Sequence, residues 1–268
     1  MAISPLAPAS FPDLFVIEGV RLASGAAGVK YNDRKDVMLV ELAAGTAVAG
    51  VFTRSATRSA PVLDCQSKMG GAADGRAAIL VNSGNSNAFT GAAGERSVAA
   101  ICDAVAAATG IQTDRIFTAS TGVIGERLPH DRIIAKVNDL AAGLTSNGIN
   151  DAAKAIMTTD TFPKGACAEV VIDGKTVRIA GIAKGSGMIA PDRATMLVYI
   201  FTDAKISQAD LQTLLATLTD QTFNCITVDS DTSTSDTVLA FATGKSGAPA
   251  LAGFDDPGAD AFQAALAD

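Results

Sequence analysis

Short runs of apolar residues, separated by glycine and polar turns, characterise the first third of the chain. Apolar runs of this kind between turn residues are typical of buried strands. The pattern predicts strands at 15–17, 37–42, 47–52 and 78–81. The last of these runs ends at the polar turn Asn82-Ser83-Gly84.

Longer segments with helical spacing of apolar residues follow. In 131–143 the residues Ile133, Val137 and Leu140 share one helical face, and Gly143 ends the segment. A glycine at this position is the usual end of a helix. The same reasoning predicts helices at 95–108, which Gly110 ends, at 208–218 and at 257–267.

The remaining strand signals lie between these helices. Two apolar runs flank Asp173-Gly174, a strong turn dipeptide, and predict a hairpin of 166–172 with 176–180. Further strands are expected at 116–117, 195–201 and 225–228. Because strands come in groups as well as alternating with helices, the pattern predicts a layered α/β or α+β architecture rather than a Rossmann wind.

Composition narrows the class of protein. The 268 residues carry 28 acidic and 21 basic side chains, a net charge of -7, which argues against a protein that binds a phosphate backbone. No apolar run reaches the roughly 18 residues that a transmembrane helix needs. Four cysteines at 65, 102, 167 and 225 lack metal-ligand or redox spacing. We therefore expect reduced, mostly buried thiols in a cytoplasmic protein.

The chain contains a single histidine, His130. One imidazole cannot build a zinc site of two or three histidines, and any Ser-His-Asp or Cys-His triad would have to include it. Nothing next to His130 resembles an activated nucleophile, so a structural or surface role is favoured.

The segment 181–197 offers a nucleophile that needs no imidazole. A glycine-rich loop containing Lys184 leads through Pro191 to Ala194-Thr195, where an apolar strand is expected. A threonine can attack the carbonyl before it, and the resulting ester hydrolyses to leave a new N-terminal Thr195. The α-amine of that residue can then act as the base for its own hydroxyl. On spacing alone, an ordinary strand threonine is the favoured interpretation of these residues.

Six blocks in register make the chain resemble the ornithine acetyltransferase family, which is also called the bifunctional glutamate N-acetyltransferase family. They are 60–62, 81–88, 120–125, 157–161, 184–197 and 228–234. The resemblance implies an α/β (α+β) fold, a layered sandwich of sheets flanked by helices, of the ornithine acetyltransferase and DmpA-like type.

The resemblance also implies a reaction. Family members cut themselves at an Ala-Thr bond into an α chain and a β chain. In this sequence the bond is Ala194-Thr195, so that 1–194 would be the α chain and 195–268 the beginning of the β chain. The acetyl group of N-acetyl-L-ornithine passes through an acetyl-threonine to L-glutamate in arginine biosynthesis, and acetyl-CoA is a second donor in some members. An α2β2 assembly, a cytoplasmic location, and no metal or organic cofactor are expected.

Individual residues take roles from the same resemblance. Thr195 matches the nucleophile, and Thr121 with Gly122 matches the pair that stabilises the oxyanion. Thr158, Lys184 and Thr195 match substrate-binding positions. A hydroxyl and a backbone N–H aimed at the developing oxyanion suit acyl transfer through a tetrahedral intermediate.

Some features depart from the family pattern. Phe89 replaces a smaller residue, and Arg193 stands beside the expected cleavage site. Family members are about half as long again, and their additional part carries further substrate-binding residues. Two alternatives stay open: a related self-processing N-terminal-nucleophile aminopeptidase or amidohydrolase, and an inactive truncated remnant.

Overall fold

Two β-sheets packed face to face form the centre of the molecule, with helices on both outer faces. A computed structural model describes residues 7–188, 196–251 and 257–268. The first sheet has the order β1-β2-β4-β5, with strands β1 Val20–Gly25, β2 Val37–Leu42, β4 Ala77–Asn85 and β5 Ile116–Val123. The second sheet has the order β3-β9-β8-β7-β6, with strands β3 Ala47–Phe52, β6 Lys164–Ile172, β7 Lys175–Lys184, β8 Leu197–Thr202 and β9 Thr237–Ala242.

Parallel pairs lie inside otherwise antiparallel sheets. Strands β4 and β5 are parallel in the first sheet, and β8 and β9 are parallel in the second. The other neighbours are antiparallel. The helices are α1 Ala60–Lys68, α2 Gly91–Thr109, α3 His130–Ala142, α4 Ile149–Ala155, α5 Gln208–Gln221 and α6 Pro257–Ala267.

Three apolar clusters account for the layers. The largest lies between the two sheets, where Met38 of the first sheet and Tyr199 and Phe241 of the second are fully buried. A second cluster joins the outer face of the first sheet to α2 and α3. A third joins the outer face of the second sheet to α5 and α6. Strands covered on both faces are mostly apolar, which explains the run at 47–52 and the run at 37–42, where Glu41 is the one charged residue.

Most of the predicted elements are present. The strands at 37–42 and 47–52, the hairpin around Asp173-Gly174 and the helix at 257–267 are confirmed. The helices expected at 95–108, 131–143 and 208–218 are confirmed with ends shifted by a few residues.

Two strand predictions are wrong. Residues 15–17 form no strand, and the first strand begins at Val20 instead. In 225–228, Cys225 ends one turn of 3-10 helix at Phe223–Cys225, and the segment joins neither sheet. Ile226 and Val228 are exposed there, so this apolar run has no sheet partner to bury it.

Four elements were not predicted: β1, α1, α4 and β9. The cysteine prediction holds in part, because all four thiols are free but only Cys65 and Cys102 are buried. None of the helices in the described part of the chain is long and apolar enough to cross a membrane.

Candidate active site

A buried lysine brings together three of the residues that the sequence singles out. Lys184 is the last residue of β7, and its side chain is 3% exposed. Its Nζ donates to Thr158 Oγ1 at 2.8 Å and to Thr121 Oγ1 at 3.3 Å. These three residues belong to different parts of the fold, so the contact is made by the packing of the two sheets.

Thr121 lies in β5 and is almost completely buried. Its Oγ1 accepts from the Lys184 ammonium, which has no acceptor to offer in return. A hydroxyl that accepts from a cation keeps its own proton for donation elsewhere. The Thr121 hydroxyl proton is therefore available for a further hydrogen bond.

Gly122 adjoins Thr121 and faces the end of β4 at very close range. Its φ is +134°, and a Cβ built on it would lie 2.3 Å from the carbonyl carbon of Gly84. Gly84 also has a positive φ, of +102°. Both positions use the conformations that glycine adopts without steric cost. The two glycines let the strands touch where β4 and β5 lose their regular register.

Side-chain amides support this end of β4. Asn82 donates from Nδ2 to the Asn85 carbonyl at 2.8 Å and accepts from Ser120 Oγ at 2.7 Å. Asn85 Oδ1 accepts from the Asn87 N–H at 2.8 Å. Because these buried groups are satisfied by one another, the strand ends around Gly122 are held in one arrangement.

The carboxylate of Asp160 holds the Lys184 region together from the other side. Its oxygens accept from Lys164 Nζ and from the Gly185 N–H, both at 2.7 Å, and from the Thr158 N–H at 3.2 Å. Lys184 Nζ lies 3.8 Å from Oδ2. One buried carboxylate thus connects the Thr158 loop, β6 and the loop that follows β7.

Burial and charge act in opposite directions on this pair. Burial raises the pKa of Asp160, but the charges and hydrogen bonds of Lys184 and Lys164 outweigh it, so the pKa lies below the usual value for Asp. Burial lowers the pKa of Lys184 below its usual value, and the Asp160 carboxylate opposes this shift. The site keeps a fixed anion beside its central cation.

Arg34 fixes the loop that contains Thr158. Its Nη2 donates to the Met157 carbonyl and, at 3.5 Å, to Ser83 Oγ. Ser83 in turn donates to the Ala155 carbonyl at 2.8 Å. The Thr158 hydroxyl is therefore positioned by the first sheet, through β4, as well as by Lys184.

A second buried carboxyl stands at the start of β9. Asp236 is 3% exposed, and its Oδ1 accepts from the Met196 N–H at 2.9 Å. Burial raises the pKa of Asp236 to about 8, against the lowering effect of that hydrogen bond. Lys184 of β7 pairs with Leu197 of β8, and Leu197 pairs with Thr237 of β9. Met196 and Asp236 each precede one of these paired residues. They therefore lie at the same end of the sheet as Lys184.

The family model for the ArgJ family matches residues 21–268. The chain belongs to the ArgJ family. This confirms the family that the six sequence blocks predict.

A relative from Ruegeria pomeroyi, the arginine biosynthesis bifunctional protein ArgJ, is 69% identical over 248 residues, which are 92% of this chain and 61% of the relative. This chain spans about three fifths of the length of the curated ArgJ relatives it matches.

Two solved structures are similar to this chain in fold. Ornithine acetyltransferase from Mycobacterium tuberculosis, solved with ornithine, is 34% identical with a TM-score of 0.55, over 68% of this chain and 94% of that one. The L-aminopeptidase D-Ala-esterase/amidase from Ochrobactrum anthropi, a variant of the Ntn hydrolase fold, is 12% identical with a TM-score of 0.52, over 98% of this chain and 87% of that one. The second likeness shows the fold alone. The predicted fold, of the ornithine acetyltransferase and DmpA-like type, is confirmed.

Of the predicted site residues in this ArgJ chain, Lys184 contacts both Thr121 and Thr158, and Gly122 adjoins Thr121. Ala194 and Thr195 lie outside the described residues. Met196, which follows Thr195 in the sequence, is described and is held by Asp236.

Sequence reasoning missed Asp160, Asp236 and Arg34. For Asp160 a signal was available, because a buried lysine needs an anion nearby and Asp160 lies in the same block as Thr158. Asp236 and Arg34 carried no comparable signal, since their roles depend on contacts between distant segments.

His130 contacts a neighbouring helix, as a structural residue would. It begins α3 and is half-buried, with Nδ1 3.0 Å from Ser97 Oγ of α2. This contact joins two packed helices of the ArgJ chain.

Proposed function

We propose that this polypeptide supplies the nucleophile and the oxyanion-binding residues of an acetyltransferase of arginine biosynthesis. The enzyme transfers the acetyl group of N-acetyl-L-ornithine to L-glutamate through an acetyl-threonine intermediate. The observation that carries the proposal is the contact of buried Lys184 with both Thr121 and Thr158. It joins a hydroxyl suited to an oxyanion with a cation suited to a carboxylate.

Self-cleavage precedes transfer in this proposal. The Thr195 hydroxyl attacks the Ala194 carbonyl carbon, a C–O bond forms, the peptide C–N bond breaks, and the hydroxyl proton passes to the leaving nitrogen. Water then hydrolyses the ester, which leaves Ala194 with a carboxylate and restores the Thr195 hydroxyl. The products are an α chain, 1–194, and a β chain that begins at Thr195 and contains 195–268.

Acetyl transfer uses the same hydroxyl twice. Thr195 attacks the acetyl carbonyl of N-acetyl-L-ornithine, and ornithine leaves as its amine with the proton of the hydroxyl. The amine of L-glutamate then attacks the acetyl ester, so that N-acetyl-L-glutamate leaves and the hydroxyl is restored. In both steps the Thr121 hydroxyl and the Gly122 N–H bind the oxyanion, a contribution of about 3 kcal/mol for one such donor.

Lys184 and Thr158 bind the substrate in this scheme. Their hydrogen bond holds the ammonium close to Thr121, at the place where a carboxylate of an amino-acid substrate needs a cation. Asp160 keeps that ammonium in position and so limits the loss of side-chain freedom when substrate binds.

Two comparisons support the proposal. The Mycobacterium tuberculosis relative is named ornithine acetyltransferase and was solved with ornithine. The matched 68% of this chain makes up 94% of that solved chain, so the solved chain is shorter than this one although the curated relatives are longer. A family whose members separate into two chains accounts for both facts.

We extend the proposal to an α2β2 assembly and to acetyl-CoA as a second donor.

A denaturing gel with intact-mass measurement tests self-cleavage. The purified chain is expected to give two fragments that meet at Ala194-Thr195, and Thr195→Ala is expected to give one uncut chain. Thr176→Ala, at an exposed position of the hairpin, is the matched control and is expected to cut normally. A folded wild-type preparation that stays uncut would contradict the proposal and favour an inactive remnant.

An acetylation assay tests the transfer. The processed chain is incubated with N-acetyl-L-ornithine carrying a labelled acetyl group, with and without L-glutamate. We expect the label on Thr195 and then on N-acetyl-L-glutamate. Peptide hydrolysis without any acetyl transfer would instead favour an N-terminal-nucleophile aminopeptidase.

A further inference from the structure

Strand β3 is one edge of the second sheet. It pairs with β9 on one side, and no strand of the described residues lies on the other. The N–H and carbonyl groups of alternate residues in an edge strand point away from the sheet, where they can pair with another chain. Val48 and Gly50 are two such residues of β3, because side chains of α5 bind the Val48 N–H and both backbone groups of Gly50.

Two glutamines of α5 make these bonds. Gln212 Oε1 accepts from the Gly50 N–H at 2.9 Å, and its Nε2 donates to the Gly50 carbonyl at 3.0 Å. Gln208 Oε1 accepts from the Val48 N–H over a longer distance, 3.5 Å. A glutamine side chain offers the same kinds of donor and acceptor as a peptide group. Gln212 therefore takes the place of a residue in a neighbouring strand.

The spacing of the two glutamines along α5 matches the spacing of the strand. Residues four apart share one face of a helix and are separated by about 6 Å along its axis. Residues two apart in a strand share one edge and are separated by about 6.7 Å. Gln208 and Gln212 therefore reach Val48 and Gly50 in turn, and α5 runs in the same direction as β3.

The sequence of β3 does not protect its own edge. Charged residues, proline and bulges are the usual means by which an edge strand avoids pairing with other chains. The residues Ala47–Phe52 include no charge and no proline, and their register with β9 is unbroken. Uncharged apolar segments of about this length pair readily with other strands when their edge is free. The protection of this edge therefore falls to the side chains of α5.

Other edges of the two sheets are protected in different ways. In β1, Leu22 exchanges two backbone hydrogen bonds with Thr145, at 2.8 and 3.0 Å. Strand β6 contains the charged residues Lys164 and Glu169 and is only partly buried. Strand β3 differs from both, because all six of its residues are buried and uncharged.

A surface cavity of about 640 Å³ lies along the β3 edge. Val48, Gly50 and Phe52 line it from β3, Met69 lines it from the end of α1, and Gln212 lines it from α5. The cavity gives an extended segment room beside the strand. The amide of Gln212 occupies the two groups of Gly50 that such a segment would need.

We propose that Gln212, with Gln208 beside it, is an autoinhibitory cover: it occupies the β3 edge and keeps an extended apolar segment of another chain from adding to the second sheet. The partner that it excludes is an uncharged strand such as β9, which already pairs with the opposite edge of β3 in antiparallel register. This inference goes beyond the proposed function and does not depend on it.

Substitutions of Gln212 test the role of its amide. Gln212→Ala removes the amide and takes from Gly50 the partner of its N–H and of its carbonyl. Gln212→Asn keeps the amide on a side chain shorter by one methylene, and it provides a second variant if the first does not fold. Gln66→Ala is the matched control, because Gln66 lines the same cavity but accepts from Arg58 Nη1 at 3.1 Å.

Two measurements report on the edge. Hydrogen–deuterium exchange follows the protection of the Gly50 N–H, and we expect exchange about tenfold faster in both Gln212 variants. Fluorescence anisotropy follows the binding of a labelled peptide with the sequence of β9, flanked by lysines for solubility. Both variants should bind it about tenfold or more tightly than wild type, because the peptide does not have to displace two hydrogen bonds. Gln66→Ala should match wild type in both measurements.

Faster exchange together with tighter peptide binding in the Gln212 variants supports the cover. Exchange at the wild-type rate overturns it, since the amide would then not be what protects Gly50. Faster exchange without tighter binding also overturns it, because the edge would be open and still unable to accept a strand. Equally tight binding by Gln66→Ala overturns it as well, because the effect would then come from the cavity and not from the contact with β3.

Discussion

The Lys184 ammonium lies 3.8 Å from the Asp160 carboxylate, and both side chains are almost fully buried. Each charge makes the burial of the other tolerable, because an isolated ion in a protein interior loses its hydration without compensation. Removing one partner therefore lowers the stability of the protein by more than the intact ion pair adds to it. The stability of the ArgJ chain and the position of its central cation depend on the same contact.

Asp160→Asn is expected to lower the free energy of unfolding by about 3 kcal/mol, because it leaves the Lys184 charge buried without its nearest anion. Urea denaturation measures this loss. The matched control is Asp151→Asn, which breaks the exposed 2.6 Å pair of Asp151 with Lys35 and should cost less than about 1 kcal/mol. Equal losses in the two variants would contradict a special role for the buried pair.

The lowered pKa of Asp160 predicts that the protein loses stability in acid. The pKa of Asp160 lies below its usual value, so the native state holds its proton less tightly than the unfolded chain. The stabilisation is complete above the unfolded pKa of about 3.9 and is lost as the pH falls through the lower native pKa. In urea denaturation between pH 7 and pH 2.5, the advantage of wild type over Asp160→Asn should be constant at first and then shrink. An advantage that grows in acid would contradict this assignment.

The fold follows from the sequence where strands are covered on both faces. Residues 37–42 and 47–52 are predicted with correct ends because burial on two sides favours nearly continuous apolar residues. The run 237–242 carries the same signal and forms the fully buried β9, which is not among the predicted strands. The run 225–228 fails because an apolar run forms a strand only where a sheet edge accepts it. Local pattern alone does not identify that edge.

The site is less accessible to sequence reasoning than the fold. Thr121, Thr158 and Lys184 are identified by family resemblance, but their mutual contact arises from the packing of two sheets. Asp236 becomes visible only when β8 and β9 are paired, since the pairing brings it to Met196. Long-range pairing of this kind leaves no periodic trace in the chain.

The raised pKa of Asp236 predicts that the stability of the native state depends on pH near neutrality. Its pKa is raised by burial to about 8, so between about pH 4 and pH 8 the unfolded chain ionises this carboxyl while the native state keeps the proton. Native stability therefore falls as the pH rises through this window. Relative to Asp236→Asn, wild type should lose up to about 1.4 kcal/mol per pH unit between pH 5 and pH 7 in urea denaturation. Parallel stability curves for the two proteins would contradict the shifted pKa.

Gly122→Ala is expected to destabilise the chain by about 3 kcal/mol, because the new methyl group would lie 2.3 Å from a backbone carbon of Gly84 and neither strand end can move freely. Gly125→Ala is the control on the same turn. Gly125 has a φ of +86° and open space around it, so its substitution should cost only the positive-φ strain, about 1 kcal/mol. Thermal denaturation of both variants measures the difference, and similar losses would show that the close approach of the strands carries no extra strain.

Phe89 holds a backbone conformation that suits its side chain poorly. Its φ is +56°, and it is 64% exposed, so the ring gains little from burial. Asparagine tolerates the left-handed region better than other residues with a Cβ. Phe89→Asn should therefore raise the free energy of unfolding by about 1 kcal/mol in urea denaturation. Phe89→Ala removes the ring but keeps the strain and should change stability little. If the alanine variant gains as much as the asparagine variant, the exposed ring rather than the backbone is the source of the instability.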